Sequence, residues 1–155
     1  MRIADAFAAA QDRQEKAVQK WKLSTKWGEK LNPDHVLAEH PRPQLRRDNW
    51  ICLNGMWKYA FTTRPARPDQ PEGDILVPFS PERRASGVER RLEPGHYLWY
   101  FCNVELKQIP EHKRLILHFG AVDQRCKVWW NGNVAGRHQN GYLAFSFVVT
   151  DFIRE

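Results

Sequence analysis

After Trp50 the chain alternates between apolar and polar positions with a period of two. Successive side chains on a strand point to opposite faces, so this alternation predicts strands with one buried face each. From Met56 to Phe61, Trp57, Tyr59 and Phe61 share one face. Ile75, Val77 and Phe79 form a second short run, bounded by Pro78 and Pro81. The longest run is Tyr97 to Leu106, with Leu98, Tyr100, Cys102 and Val104 on one face and Tyr97, Trp99 and Phe101 on the other. Leu115, Leu117 and Phe119 alternate against Ile116 and His118. Cys126, Val128 and Trp130 share a face from which Trp129 points away, and Phe145, Phe147 and Val149 close the series. Several short alternating strands separated by turn residues predict an all-β fold, an antiparallel β-sandwich.

The sharpest local signal is Asn131-Gly132, placed between Val128, Trp129 and Trp130 on one side and Val134 on the other. Asn-Gly between apolar runs predicts a two-residue hairpin, because both turn positions need positive φ. The stretch Leu115 to Phe147 then reads as strand, loop, strand, tight turn, strand, loop, strand. Arg64 to Gly73 is Pro-rich and predicts a loop.

Upstream of the alternating region the pattern changes. Residues 1–23 are rich in Ala, Gln, Glu and Lys and lack Gly and Pro over positions 3–22, which predicts an N-terminal helical extension. Its apolar face is thin: Ile3, Phe7, Ala10, Ala17 and Trp21. Residues 24–48 predict an extended arm punctuated by Pro33, Pro41 and Pro43. Residues 49–155 predict the sandwich. It is short of a closing strand, and Asp151-Phe152-Ile153-Arg154-Glu155 reads as a turn leading onward. An open edge of this kind predicts a sandwich that is incomplete at its C-terminal side, as in a truncated chain.

Composition narrows the function. The 155 residues suffice for one domain. The net charge of +6 raises nucleic acid as a partner, but acids punctuate each basic cluster: Arg83 and Arg84 follow Glu82, and Arg90 and Arg91 lie between Glu89 and Glu93. No basic stripe interleaves with aromatics, so no nucleic-acid partner is expected. The first nineteen residues contain Arg2, Asp5, Asp12, Arg13, Glu15 and Lys16, which leaves no apolar signal core. No run reaches membrane-spanning length, so no membrane partner is expected and a cytoplasmic location is the default. Cys52, Cys102 and Cys126 lack metal-site spacing and are expected to be buried free thiols. No cofactor and no metal site is expected.

Few residues have the arrangement that chemistry demands. Most acids lie beside Lys or Arg, where solvated charge explains them; Asp123, after Gly120-Ala121-Val122 at a strand end, can bond turn amides or face a ligand. No serine sits in a nucleophile elbow, and Gly132, Gly136 and Gly141 are read as turn glycines. Arg137-His138-Gln139-Asn140-Gly141-Tyr142 reads as one turn holding cationic, imidazole, amide and phenol groups. Such groups hydrogen-bond sugar hydroxyls well.

These same residues carry a resemblance. The blocks H-F-G-A-V-D, K-V-W-W-N-G, V-A-G-R-H-Q-N-G-Y and F-S-F, with Leu53-Asn54-Gly55-Met56-Trp57 and Val77-Pro78-Phe79-Ser80-Pro81-Glu82 upstream, resemble the N-terminal domain of glycoside hydrolase family 2. The resemblance covers about residues 25–155. It implies a jelly-roll, galactose-binding-like sugar-binding domain that precedes an immunoglobulin-like domain and a (β/α)8 barrel. The barrel supplies both catalytic glutamates for retaining hydrolysis of β-linked glycosides or oligosaccharides, so no catalytic residue is assigned in this chain. In β-galactosidases of the family an Asp touches substrate from the loop matching His138–Tyr142; Asn140 falls near it as an amide. His138, Asn140 and Tyr142 are the candidate substrate-binding residues. Trp130 stands where the family has a smaller β-branched residue, and Cys102 where a polar or basic one is common. Two readings follow: a fragment of a β-galactosidase-like retaining β-glycosidase, inactive alone, or a stand-alone carbohydrate-binding or interaction module.

Overall fold

The computed structural model describes residues 25–38, 44, 48–106 and 112–153. The predicted helix over residues 1–23 lies outside the described residues, as does part of the predicted arm over 24–48. Among the described residues there are seven strands and three single-turn 3-10 segments, at Gly28–Lys30, Arg84–Ser86 and Thr150–Phe152. The strands are β1 (Gly55–Thr62), β2 (Gly73–Val77), β3 (Tyr97–Phe101), β4 (Ile116–Phe119), β5 (Arg125–Trp130), β6 (Asn133–Gln139) and β7 (Phe145–Val148). The described chain is therefore all-β. Its sheets are small and antiparallel, with orders β2-β1-β3, β4-β7 and β5-β6. No helix among the described residues is long and apolar enough to cross a membrane. Two compact units divide the chain, Met1–Asn103 and Val104–Glu155.

In the first unit, β1 is the central strand, paired with β2 from Gly55↔Val77 to Tyr59↔Gly73 and with β3 from Lys58↔Phe101 to Thr62↔Tyr97. Its end is buried on both faces: Ala60 and Phe61 are adjacent in sequence and both buried. Ile75 and Leu76 of β2 repeat this. Burying one such aliphatic side chain contributes about 1.5–3 kcal/mol. Polar groups pin the margin of the sheet. Glu72 accepts from the Phe61 amide at 3.1 Å and pairs with Arg90 at 2.9 Å, while the Arg90 guanidinium lies 4.1 Å above the Phe61 ring. Trp57 Nε1 donates to the Leu53 carbonyl at 2.7 Å, and Trp99 Nε1 donates to Thr62 Oγ1 at 2.9 Å. The described part of the arm predicted to be extended consists of turns, bends and the Gly28–Lys30 3-10 segment. Val36 is buried there, and Asn54 Nδ2 donates to its carbonyl at 3.2 Å, tying the arm to the start of β1. Ser86 is a structural hydroxyl: it donates to the Arg83 carbonyl at 2.7 Å and accepts from the Val88 amide at 3.1 Å.

The second unit is built differently. Val149 is its one fully buried apolar side chain among the described residues. Its two sheets meet through rings: Phe119 of β4 stacks on Phe145 of β7 at 4.8 Å between centroids, and Phe145 stacks on His138 of β6 at 4.0 Å. The predicted hairpin is present. Asn131 and Gly132 have φ of 49° and 84°, both positive as a type I′ turn requires. A register shift at Val128/Trp129 leaves Ala135 as the extra residue of a bulge, between Val128↔Gly136 and Trp129↔Val134. Asn131 Nδ2 donates to the Phe152 carbonyl at 2.8 Å and so fastens the turn to the last 3-10 segment.

Several expectations need correction. The long strand ends at Phe101, not Leu106, because its pairing with β1 ends at Lys58↔Phe101. Phe79 falls outside β2, which ends at Val77 before Pro78. Cys102 is exposed, and Cys52 and Cys126 are half-buried, so the buried-thiol expectation fails for the first and holds in part for the others. Gly136 is a strand residue, not a turn glycine: a Cβ there would overlap the Phe147 ring. Gly141 has no positive φ; a Cβ at that position would run into the Asp123 carboxylate.

Candidate functional site

Strand β6 takes up half of the six-residue turn anticipated from the sequence. Arg137, His138 and Gln139 pair with Lys127, Cys126 and Arg125 of β5, so the loop proper starts at Asn140. Parity then sorts the side chains. Arg137 and Gln139 face solvent, and His138 faces inward between them. Its imidazole lies nearly parallel to Phe145, at 14°, and Nε2 is buried with no hydrogen-bond partner. A buried nitrogen left unmatched costs about 1–3 kcal/mol, which the two-ring stack offsets in part.

Asn140 organises the loop. Its own amide donates to the Gln124 carbonyl at 3.0 Å. Its Oδ1 accepts from the amides of Tyr142 at 2.7 Å and Leu143 at 3.2 Å. This local Asx arrangement substitutes for a backbone turn. Asp123 packs its carboxylate against Gly141, which brings the β4–β5 connection beside the same loop. Tyr142 is 94% exposed and Leu143 60% exposed, so the loop tip presents a phenol and an apolar side chain to solvent. The structure thus gathers Asp123, Asn140 and Gly141, turns Tyr142 outward, and directs His138 into the ring stack.

The second-unit thiol near this loop is inert in character. Cys126 is the register partner of His138; burial pushes its thiol up, and a hydrogen bond involving the His138 backbone draws it partly back. Cys102 is exposed, and the partial desolvation it does meet pushes its thiol in the same direction. A thiol held protonated is a poor nucleophile and a poor metal ligand. No group of three His, Cys, Asp or Glu side chains among the described residues is placed to hold a metal ion. At the loop, Asn140 Oδ1 is taken up by the Tyr142 and Leu143 amides, while the Tyr142 side chain stands in solvent. Sequence reading did not single out the outward face of β5 and β6, where Arg125, Lys127 and Arg137 lie with Trp129. Combining the alternation of the two strands across the Asn131-Gly132 turn would have found it.

Comparison with known proteins gives the class. No family model matches the chain. A β-glucuronidase of Streptococcus agalactiae is 25% identical over 104 residues, which is 66% of this chain and 17% of the relative. A β-galactosidase of Thermoanaerobacter pseudethanolicus is 32% identical over 70 residues, 39% of this chain and 9% of that enzyme. Among solved structures, a β-glucuronidase of Faecalibacterium prausnitzii aligns with a TM-score of 0.52 at 28% identity, covering 67% of this chain and 18% of that one. Part of this all-β chain is thus related to glycosidases named β-glucuronidase and β-galactosidase, and it spans less than a fifth of their length.

Proposed function

We propose that the chain is the N-terminal jelly-roll, sugar-binding domain of a family 2 glycoside hydrolase, a retaining β-glycosidase acting on β-linked glycosides. In this reading it supplies scaffold and pocket rim, and a barrel outside the chain supplies the acid/base and nucleophile carboxylates. The rim contact falls to Asn140 and Tyr142, with His138 supporting the loop from within. The observation that carries the reading is the match to a β-glucuronidase over 66% of this chain but only 17% of the relative, together with a TM-score of 0.52 to a second β-glucuronidase over 67% of this chain. The polar loop after β6 adds chemistry suited to sugar hydroxyls.

The purified chain is expected to release no nitrophenol from β-glucuronide or β-galactoside substrates. Measurable release overturns the non-catalytic role. Saturable binding of neutral oligosaccharides by the chain alone, measured by titration calorimetry, would favour the stand-alone carbohydrate-binding module instead.

A further inference from the structure

Asparagine followed by glycine occurs three times in the chain, at Asn54-Gly55, Asn131-Gly132 and Asn140-Gly141. The pair is chemically labile, because no Cβ shields the glycine amide nitrogen from the side-chain carbonyl carbon before it. The sequence does not rank the three pairs, and the structure does. Asn54 Nδ2 donates to the Val36 carbonyl at 3.2 Å and the Leu37 carbonyl at 3.4 Å, which holds the side chain toward the arm. Asn131 Nδ2 donates to the Phe152 carbonyl at 2.8 Å. The Asn131 backbone is also left-handed, with φ of 49°. In that region Cβ lies nearly opposite the following amide nitrogen about the Cα–C bond, whereas a small ring containing both needs them eclipsed.

At Asn140 the oxygen is held instead of the nitrogen. Oδ1 accepts from the amides of Tyr142 at 2.7 Å and Leu143 at 3.2 Å. The first of these bonds closes a ring of atoms that includes both Asn140 Cγ and the Gly141 nitrogen, so the two are kept close. The Gly141 amide donates to no described residue. Tyr142 and Leu143 are exposed, so water reaches the loop.

We propose that Asn140 is a site of spontaneous deamidation that the loop itself promotes. The Gly141 amide gives up its proton to solvent and its nitrogen bonds to Asn140 Cγ. Negative charge then develops on Oδ1, where the Tyr142 and Leu143 amides already point; donors fixed at the position of the growing charge lower the barrier. The Cγ–Nδ2 bond breaks, the nitrogen takes up a proton and leaves as ammonia, and a cyclic imide remains. Water opens the imide at either carbonyl, leaving aspartate or isoaspartate at position 140. The balance is one water consumed and one ammonia released, with no oxidant or reductant. The Asp123 carboxylate lies against Gly141, so the new charge arises one residue from an existing one of the same sign. Like charges at short range repel, and the modification loosens the loop from the β4–β5 connection. The site stands whether or not the loop rims a substrate pocket.

The test is ageing of the whole purified chain at neutral pH, with peptide mapping by mass spectrometry and isoaspartyl methyltransferase labelling at each of the three pairs. Synthetic peptides carrying the same pairs give the unstructured rates. Asn140 is expected to react about tenfold faster in the folded chain than in its peptide, less than the gain from one donor in a closed site because this loop is open to water. Asn54 and Asn131 are expected to react more slowly than theirs. Leu143→Pro removes one of the two donors and is expected to slow Asn140 severalfold, with Asn54 and Asn131 unchanged. Near-ultraviolet circular dichroism checks that the variant keeps its fold, and the comparison of the unsubstituted chain with its peptides needs no variant. In the aged chain, amide exchange is expected to be faster at Tyr142 and Leu143. An Asn140 rate no greater than in its peptide, a faster reaction at Asn54 or Asn131, or an unchanged Asn140 rate in folded Leu143→Pro would each overturn the proposal.

Discussion

The two compact units hold themselves together by different means. In the first, β1 has a strand on either side, and Ala60, Phe61, Ile75 and Leu76 are buried. In the second, two-stranded sheets meet through His138, Phe145 and Phe119, and Val149 alone among its described apolar side chains is buried. Isolated two-stranded ribbons are marginal in water, so the second unit depends on a few ring contacts and close approaches. It is also the unit that carries the densest sequence signals. Local pattern strength and burial are therefore separate properties: the first comes from turn chemistry and alternation, the second from what packs over the faces of a strand, since Ile75 and Leu76 are buried on an edge strand.

The largest effect is expected in the first unit. Ile75→Ala removes a side chain with no solvent exposure and is expected to cost about 3 kcal/mol. Residue-resolved amide exchange is the measurement. Loss of protection in β1, β2 and β3 supports the contrast; equal loss in β4 to β7 would show that both regions melt as one, and would break it. Next is Gly136→Ala, which forces a methyl into the Phe147 ring and is expected to cost about 2 kcal/mol by urea denaturation. Gly120→Ala is the matched control: nothing lies within 4 Å of the added Cβ, and a change within about 0.5 kcal/mol is expected. If the two substitutions cost the same, close approach does not govern the second unit.

A smaller effect, about 1 kcal/mol, is expected for Asn140→Ala, which leaves the Tyr142 and Leu143 amides without their acceptor. Faster exchange of those two amides, with β5 and β6 unchanged, would confine the effect to the loop. The smallest effect appears only at high pH. Burial, and then the charge of Glu82, push the Tyr100 phenol up to about 12. The unfolded phenol ionises near pH 10, so the stability this group contributes is complete below pH 10 and declines as pH rises toward 12. Tyr100→Phe is expected to flatten thermal stability over that window. An unchanged slope would remove Tyr100 from the account. The side chain is 39% exposed, so solvent screening keeps the contribution small.

Local periodicity made much of the fold legible. The parity of Trp57, Tyr59 and Phe61, of Leu115, Leu117 and Phe119, and of Cys126, Val128 and Trp130 matches their more buried positions. The Asn131-Gly132 turn followed from conformational preference alone. What escaped notice depends on partners distant in sequence. The β3 strand stops at Phe101 because pairing with β1 stops there, although alternation continues through Cys102 and Val104. Gly136 was read as a turn residue because the Phe147 ring that requires it lies on another strand. For the candidate site, the sequence named Asn140 and Tyr142 by their chemistry. It did not show that Asn140 Oδ1 is engaged by two loop amides, or that the His138 ring joins an aromatic stack.

By itself, then, the sequence determined the all-β character, the positions of the turns and the alternation of faces, because these depend on residues within a few positions of one another. Only the tertiary structure decided which of those faces are covered. It buried Ile75 and left Cys102 in solvent, turned His138 toward Phe145, and set Lys127 opposite Arg137 beside Trp129. Burial and cross-strand neighbours are made by segments far apart in the chain, and the pairing of strands is what brings them together.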